Sequence, residues 1–142
     1  MNNASLKITA GQVTGTGVTF IFTGTSPTSI GGLDISSNQT TNITAPTSGA
    51  YAGVAFYQSP DANPTALVNK INGTSNVHIT GAVYFPSQEV DFQGDNTTGG
   101  PNGGCTQIVA SKVTFTGNAT LGYDCDGTGV RPINSSRVAL VE

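Results

Sequence analysis

Few side chains of this 142-residue chain could act as catalytic groups. The single histidine, His78, lies in the phrase VHIT (77–80), between Val77 and Ile79. Alternation along a β-strand would place its ring on the face opposite to those two apolar residues. A serine–histidine–aspartate site also needs a positioned serine, and no G-x-S-x-G turn is present. We therefore interpret His78 as a structural residue on the outer face of a strand.

Glu89 and Asp91 are the carboxylate pair with the best spacing for acid–base chemistry. They are two residues apart, so they would share one face of a strand. Two carboxylates roughly 5 to 9.5 Å apart can hydrolyse a glycosidic bond, and some parallel β-helices cleave polysaccharides. However, the pattern Glu89-Val90-Asp91 is typical of any solvated strand face. The sequence favours a protein with no catalytic residue and no cofactor, and a carbohydrate-binding or polysaccharide-cleaving β-helix is the alternative.

Asp124 and Asp126 could supply oxygen ligands to calcium, which takes six to eight of them. The further acids of an EF-hand are absent, and a glycine-rich turn beside a cysteine explains the stretch equally well. A zinc site usually needs four ligands, and the chain has one histidine. The stretch GGPNGG (99–104) lacks the Lys and Ser/Thr of a phosphate-binding loop, so we predict a flexible corner there. We predict no metal site, with calcium at the two aspartates left open.

Cys105 and Cys125 are the two cysteines, and they flank the strand-like phrase TQIVASKVTFT (106–116). Two cysteines in a chain with few charges and many Thr, Ser and Asn residues are typical of an extracytoplasmic protein with one disulfide. Closing this loop would stabilise the fold by about 3 kcal/mol in the chain-entropy model. The alternative is a cytosolic protein with two unpaired thiols. We predict a Cys105–Cys125 disulfide.

The charge composition argues against two classes of partner. Charged residues make up 9% of the chain and the formal net charge is −3, whereas about 25% of residues are charged in typical soluble domains. Five Lys and Arg residues are too few for the basic patch that binds nucleic acid or an anionic membrane surface. No apolar run reaches the roughly 18 residues of a membrane-spanning helix.

Period-two alternation of apolar residues covers much of the chain and predicts many short strands. Gly, Asn, Ser and Pro separate these phrases and mark corners. One or two turns of helix are predicted over 64–71, because Leu67 and Ile71 are four residues apart. The alternating sets are Leu6 and Ile8; Val18, Phe20 and Phe22; Leu33 and Ile35; Val54 and Phe56; Val77 and Ile79; Val83 and Phe85; Val90 and Phe92; Val113 and Phe115; and Val138 and Leu140.

Two all-β architectures fit this pattern: a β-sandwich of hairpins, and a β-solenoid whose successive rungs pair in parallel. Neither Asn72-Gly73 nor Asn102-Gly103 sits tightly between two alternating runs, as a hairpin turn would. The phrases recur after roughly 20 to 36 residues, which is typical of solenoids, with loops at 58–70 and 94–104. We predict one domain over 1–142, a short right-handed parallel β-helix, with the sandwich as the alternative.

A β-helix makes two predictions about contacts. Its open ends carry unpaired backbone groups, so the amino end (6–22) or the carboxyl end (138–142) is expected to meet another domain or subunit. Rows of Thr and Asn on stacked rungs would form regular ladders of hydrogen-bonding groups for a repetitive partner. Thr19, His78 and Thr114 are the expected members of one outward row.

Several phrases, in their order along the chain, resemble a known family. They are GTGVTFIFTG (15–24), ITAPTSGAYAGVAFYQ (43–58), VHITGAVYFPSQEVDFQG (77–94), GGCTQIVASKVTFTGNATLG (103–122) and RVALVE (137–142). From about Val13 onward, the chain resembles the carboxyl-terminal region of bacterial TadG-like proteins, which are associated with the Flp (Tad) pilus assembly system.

The resemblance implies a domain excised from a longer protein that is anchored in the inner membrane. It places the domain in the periplasm or at the cell surface. It implies a structural or interaction role in pilus assembly or surface adhesion, with other pilus or envelope proteins and surface glycans as partners. It supplies no catalytic residue and no cofactor.

Overall fold

The computed structural model describes residues 1–37, 40–65, 68–73, 77–94, 97–98, 104–118, 120–122 and 124–130. These residues form strands and turns without any helix, so none of them belongs to a helical membrane span. The strands are β1 (Leu6–Ile8), β2 (Val13–Thr16), β3 (Phe20–Phe22), β4 (Leu33–Ser37), β5 (Thr41–Thr44), β6 (Val54–Gln58), β7 (Val68–Gly73), β8 (Val77–Gly94), β9 (Thr97–Thr98), β10 (Thr106–Thr116) and β11 (Thr120–Leu121).

Nine of these strands form one curled sheet, which we divide into three columns. Column A contains β1, β4, β7, residues 89–94 of β8 and residues 112–116 of β10. Column B contains β2, β5 and residues 77–80 of β8. Column C contains β3, β6, residues 82–84 of β8 and residues 106–110 of β10. The pair β9–β11 is separate and also parallel.

Strand pairing in the described residues is parallel throughout. From β1 to β7 the chain visits columns A, B and C in turn and then returns to A. The predicted all-β class is confirmed. The antiparallel hairpins of the alternative sandwich do not occur among these strands.

The core is built from equivalent positions that stack from strand to strand. In column A, Ile8 pairs in register with Ile35, Ile35 with Ile71, and Ile71 with Phe92, and all four side chains are buried. Because strand side chains alternate between faces, the residues between these positions point outward. This stack of core side chains ends at Phe115, whose ring stacks on Phe92 with centroids 5.2 Å apart. Phe115 stays 47% exposed, since its strand is the last of column A in the described chain.

Three fully buried amides hold the corner where the chain passes from column C to column A. Gln88 Oε1 accepts hydrogen bonds from Gln58 Nε2 at 2.8 Å and from Asn69 Nδ2 at 3.1 Å. Gln88 Nε2 donates to the carbonyl of Asn63, and the backbone N–H of Leu33 donates to Asn69 Oδ1. These hydrogen bonds give the corner a defined geometry, although Gln58 Oε1 is buried without a hydrogen-bond partner among the described residues.

The structure corrects three details of the strand assignment. The helix expected over 64–71 is wrong, because β7 starts at Val68 and pairs with β4 and β8. This strand also shortens the loop expected over 58–70. In β6 the register shifts between Val54 and Phe56, and Ala55 is buried beside Phe56 instead of Val54. The predicted alternation at Val138 and Leu140 and the carboxyl end at 138–142 lie outside the described residues.

Candidate functional site

The outer face of column A carries a ladder of alternating charge. Lys7 pairs in register with Asp34, Asp34 with Lys70, and Lys70 with Asp91. Lys112 lies on the same face, so the three lysines of the described chain are all in this column. Opposite charges on adjacent strands attract one another. The ladder therefore balances its own charge and stabilises strand pairing.

Glu89 and Asp91 share this face, as their spacing predicts, with Val90 buried between them. Glu89 Oε1 accepts a hydrogen bond from Thr114 Oγ1 at 2.7 Å, and Lys112 Nζ lies 2.9 Å from the same oxygen. The hydroxyl of Thr114 and then the ammonium of Lys112 hold the pKa of Glu89 below its usual value. A glycosidase needs an acid with a raised pKa, so Glu89 is unsuited to that role.

Asp34, which lies on β4 and is separated from β8 by β7, is held in a similar way. Ser36 Oγ donates to Asp34 Oδ1 at 2.5 Å, and Lys7 Nζ lies 3.3 Å from Oδ2. The hydrogen bond from Ser36 is the largest cause that lowers the pKa of Asp34, and Lys7 adds to it. These carboxylates are therefore ionised partners of neighbouring cations and hydroxyls.

Column B presents rows of hydroxyl and amide side chains. Thr16, Thr44 and Thr80 lie in register in one row. The neighbouring row consists of Thr14, Asn42 and His78. The prediction of Thr and Asn rows is confirmed here, and His78 lies on the outer face between buried Val77 and Ile79.

The predicted membership of one such row is wrong. His78 lies in column B, whereas Thr114 lies in column A beside Asp91. Thr19 precedes β3 and donates its hydroxyl to the carbonyl of Val54. Alternation predicts whether a side chain faces inward or outward on its own strand. It does not predict which of the three columns that strand joins.

Column C carries a stack of tyrosine rings on its outer face. Tyr57 and Tyr84 lie in register on β6 and β8. Their ring centroids are 5.3 Å apart and their planes differ by 6°. Tyr51, in the loop before β6, packs edge-on against Tyr57 with centroids 5.9 Å apart. Offset stacking and edge-to-face contacts are the two favoured geometries of aromatic pairs.

These tyrosines border a groove of about 610 Å³. Binding pockets for small molecules commonly have volumes of about 300 to 1,000 Å³. In contrast with column A, none of the described residues that line it carries a charge. The lining residues are Ala50, Tyr51, Ala52, Gly53, Val54, Tyr57, Ala82, Tyr84, Gln107, Val109 and Val130.

A disulfide ties down the segment that ends at this groove. The structure joins Cys105 and Cys125, with Cα atoms 4.5 Å apart, and confirms the predicted disulfide. We call residues 124–130 the strap. Val130, at the end of the strap, is buried and lines the groove. The strap packs closely on Gly53: a Cβ atom there would lie 2.5 Å from the carbonyl oxygen of Gly129.

The strap contains the two aspartates considered as calcium ligands. The backbone N–H of Asp126 donates to Asp124 Oδ1 at 3.3 Å, which is the hydrogen bond of an Asx-turn. In the part of the chain that the structure describes, no group of three or more His, Cys, Asp and Glu side chains could hold a metal. The predicted corner at 99–104 lies outside the described residues apart from Gly104.

Sequence reasoning did not single out the tyrosine groove. The signal was present in two phrases, AGVAFYQ (52–58) and GAVYF (81–85), where each tyrosine adjoins a buried phenylalanine and so faces outward. Pairing the phrases by their tyrosines would have placed Tyr57 on Tyr84. No sequence pattern indicated that Val130 lines the groove, because this position depends on how the strap folds back from the disulfide.

Comparisons with protein-family models, with curated proteins and with solved structures found no match for this chain.

Proposed function

We propose that this chain is a non-enzymatic interaction domain of a TadG-like protein of the Flp (Tad) pilus system, and that the tyrosine groove binds its partner. The groove is the observation that carries the proposal. It combines aromatic side chains, a lining whose described residues are uncharged, and a wall held in place by a disulfide. Rigid aromatic side chains supply much of the binding energy at protein surfaces, because they bury large areas at a low entropic cost.

The identity rests on the resemblance of the phrases between 15 and 142, and the location is proposed on two grounds. TadG-like proteins imply the periplasm or cell surface and a parent protein in the inner membrane. A disulfide in a bacterial protein fits an oxidising compartment outside the cytoplasm.

The fold proposed for this domain is a right-handed parallel β-helix. Parallel pairing in three columns, visited in a fixed order, supports a coil of successive rungs. Crossovers between parallel strands of one sheet are right-handed in about 98% of cases. A stiff coil would hold the groove at a fixed distance from the cell envelope, as an adhesive or assembly domain requires.

The carboxylates support a binding role over a hydrolytic one. Glu89 is ion-paired with Lys112 and its pKa is lowered, which is the opposite of what a glycosidase requires of its general acid. The groove with its tyrosines lies on column C, whereas the carboxylate ladder lies on column A. We therefore expect no release of reducing sugar from neutral polysaccharides.

The proposal can be tested by pilus-dependent attachment of the bacterium to a surface. Val109 follows Tyr84 in register, so Val109→Tyr should fill the groove with a third ring. Attachment should fall with this variant. A matched control is Phe115→Ala, which removes an exposed stacked ring from column A. Unchanged attachment in cells that display Val109→Tyr at normal levels would overturn the proposal.

A further inference from the structure

We propose that the groove binds a pyranose ring of an uncharged glycan, which stacks on Tyr84 as the next member of the tyrosine ladder. This inference rests on the proposed function, since it names the ligand of the same groove. It follows from three features of the site: the missing third ring of the ladder, the neutral lining and the polar groups at its edge.

The stack of tyrosine rings ends at β8, although column C continues with one more strand, β10. Tyr57, Tyr84 and Val109 occupy one row, on β6, β8 and β10. Tyr57 covers one face of the Tyr84 ring at 5.3 Å. The strand that carries Val109 lies on the other side of Tyr84, and Val109 is much smaller than a tyrosine. The groove occupies the space where a third ring would stand, because both Tyr84 and Val109 line it.

A ligand in that position must be ring-shaped, with one apolar face. The face of an aromatic ring is electron-rich and attracts weakly positive hydrogens. The C–H groups on one side of a pyranose ring meet this requirement, while its hydroxyls point outward around the ring. The volume of about 610 Å³ can hold more than one sugar unit.

The charge distribution points to an uncharged glycan. Among the described residues, no lysine, arginine, aspartate or glutamate lines the groove, and the described lysines are all on column A. A uronic acid or a phosphorylated sugar would therefore find no cation among these lining residues to compensate for the loss of its hydration. The side-chain amide of Gln107 and the tyrosine hydroxyls supply donors and acceptors that match sugar hydroxyls.

The composition of the chain allows binding to be followed at the site itself. The protein has no tryptophan and four tyrosines. Three of these, Tyr51, Tyr57 and Tyr84, line the groove, and the fourth, Tyr123, lies outside the described residues. Titration with cellotetraose, chitotetraose and mannotetraose should therefore change the tyrosine emission, and calorimetry should give a dissociation constant of about 1 mM or lower for at least one of them.

Three variants separate the groove from the rest of the molecule. Tyr84→Ala removes the stacking platform and should weaken binding roughly tenfold or more. Val109→Tyr should abolish binding while the protein stays folded, because the added ring continues an existing stack. Phe115→Ala should bind within about twofold of the unchanged protein, since it lies in column A.

Tetragalacturonate and N-acetyltyrosinamide complete the experiment. The anionic sugar should bind at least tenfold more weakly than the best neutral tetrasaccharide. If no neutral tetrasaccharide binds saturably, or if folded Val109→Tyr binds as well as the unchanged protein, the glycan proposal is overturned. Saturable binding of N-acetyltyrosinamide alone would also overturn it and would indicate an aromatic side chain of a protein partner. In that case, loss of attachment with Val109→Tyr would still support the proposed function.

Discussion

The rings of Tyr57 and Tyr84 lie parallel, 5.3 Å apart, although they belong to successive turns of the chain. Parallel strands are about 4.8 Å apart, so identical residues in register are brought to stacking distance without further adjustment. When similar phrases recur on successive strands of a column, their outward side chains therefore form a continuous row on the surface. The same rule builds the charged ladder of column A and the hydroxyl rows of column B.

The Cys105–Cys125 disulfide should contribute measurably to stability. It spans 20 residues, so the Cys105→Ala/Cys125→Ala double variant should lose about 3 kcal/mol of the free energy of unfolding. The melting temperature should fall by roughly 6 to 12 °C, as measured by circular dichroism. Adding a reductant should lower the melting temperature of the unchanged protein and leave that of the double variant where it is.

The disulfide should also preserve the groove, because it anchors the strap that carries Val130. The double variant, measured at a temperature where it is folded, should bind the best tetrasaccharide more weakly. Val130→Ala, which keeps the disulfide, should show a smaller loss of affinity. Equal affinity in the double variant and the unchanged protein would show that the strap does not shape the site.

The buried amide corner should be sensitive to the loss of a single acceptor. In Gln88→Leu, Gln58 Nε2 keeps the carbonyl of Gly31 at 2.9 Å but loses its second partner, and Asn69 Nδ2 loses a partner as well. We expect a loss of about 2 to 4 kcal/mol in urea unfolding. The same substitution at half-buried Gln107, Gln107→Leu, should change stability by about 0.5 kcal/mol or less. Similar effects of the two variants would contradict this account of the corner.

Gly81 should not tolerate a side chain. Its φ is +137°, and a Cβ atom would lie 2.6 Å from the Cβ of Ala45. Gly81→Ala should therefore lose about 2 to 4 kcal/mol, since it combines backbone strain with overpacking. Gly11→Ala isolates the strain, because Gly11 has a φ of +81° with open space around it. Its loss should be about 1 kcal/mol, and an equal loss at both sites would remove the steric argument.

Stability should decline in acid as the column A carboxylates become protonated. Folding lowers the pKa of Glu89 from its ordinary value of 4.5 and that of Asp34 from 3.8. The contribution of each carboxylate is therefore present above its ordinary pKa and is lost as the pH falls through the lowered folded value. The free energy of unfolding should be level from pH 7 to about 5 and fall below about 4.5.

Two variants test this assignment in urea unfolding at a series of pH values. Glu89→Gln removes the titrating group, so it should flatten the acid decline and approach the unchanged protein at low pH. Thr114→Val keeps the carboxylate and removes its hydroxyl donor, which should also make the decline shallower. A slope that neither variant alters would mean that other groups control the acid transition.

Much of the local structure could be predicted from the sequence. Alternation correctly assigned Val77, Ile79, Val90 and Phe92 to the interior and His78 to the exterior, because side chains on a strand point to alternate faces whatever the strand pairs with. The disulfide was predictable because two cysteines in a weakly charged chain permit a single pairing. The failure at 64–71 has a tertiary cause: pairing with β4 and β8 outweighs the weak helical spacing of two residues.

Register and column were decided by the tertiary structure. Hydrogen bonds between successive turns join residues 27 positions apart at Ser5 and Gly32 but 36 positions apart at Leu33 and Asn69. Such unequal turns arise because loops of different lengths return the chain to the same column. The sequence alone therefore determined which side chains face inward and which face outward in the regular strands, but not at the irregularity in β6, where Ala55 is buried instead of Val54. Only long-range pairing decided that Tyr57 meets Tyr84, that Lys70 lies between Asp34 and Asp91, and that the strap reaches Gly53. Whether a side chain points inward or outward depends on the geometry of its own strand. Each of these contacts depends instead on backbone hydrogen bonds or a disulfide between distant parts of the chain.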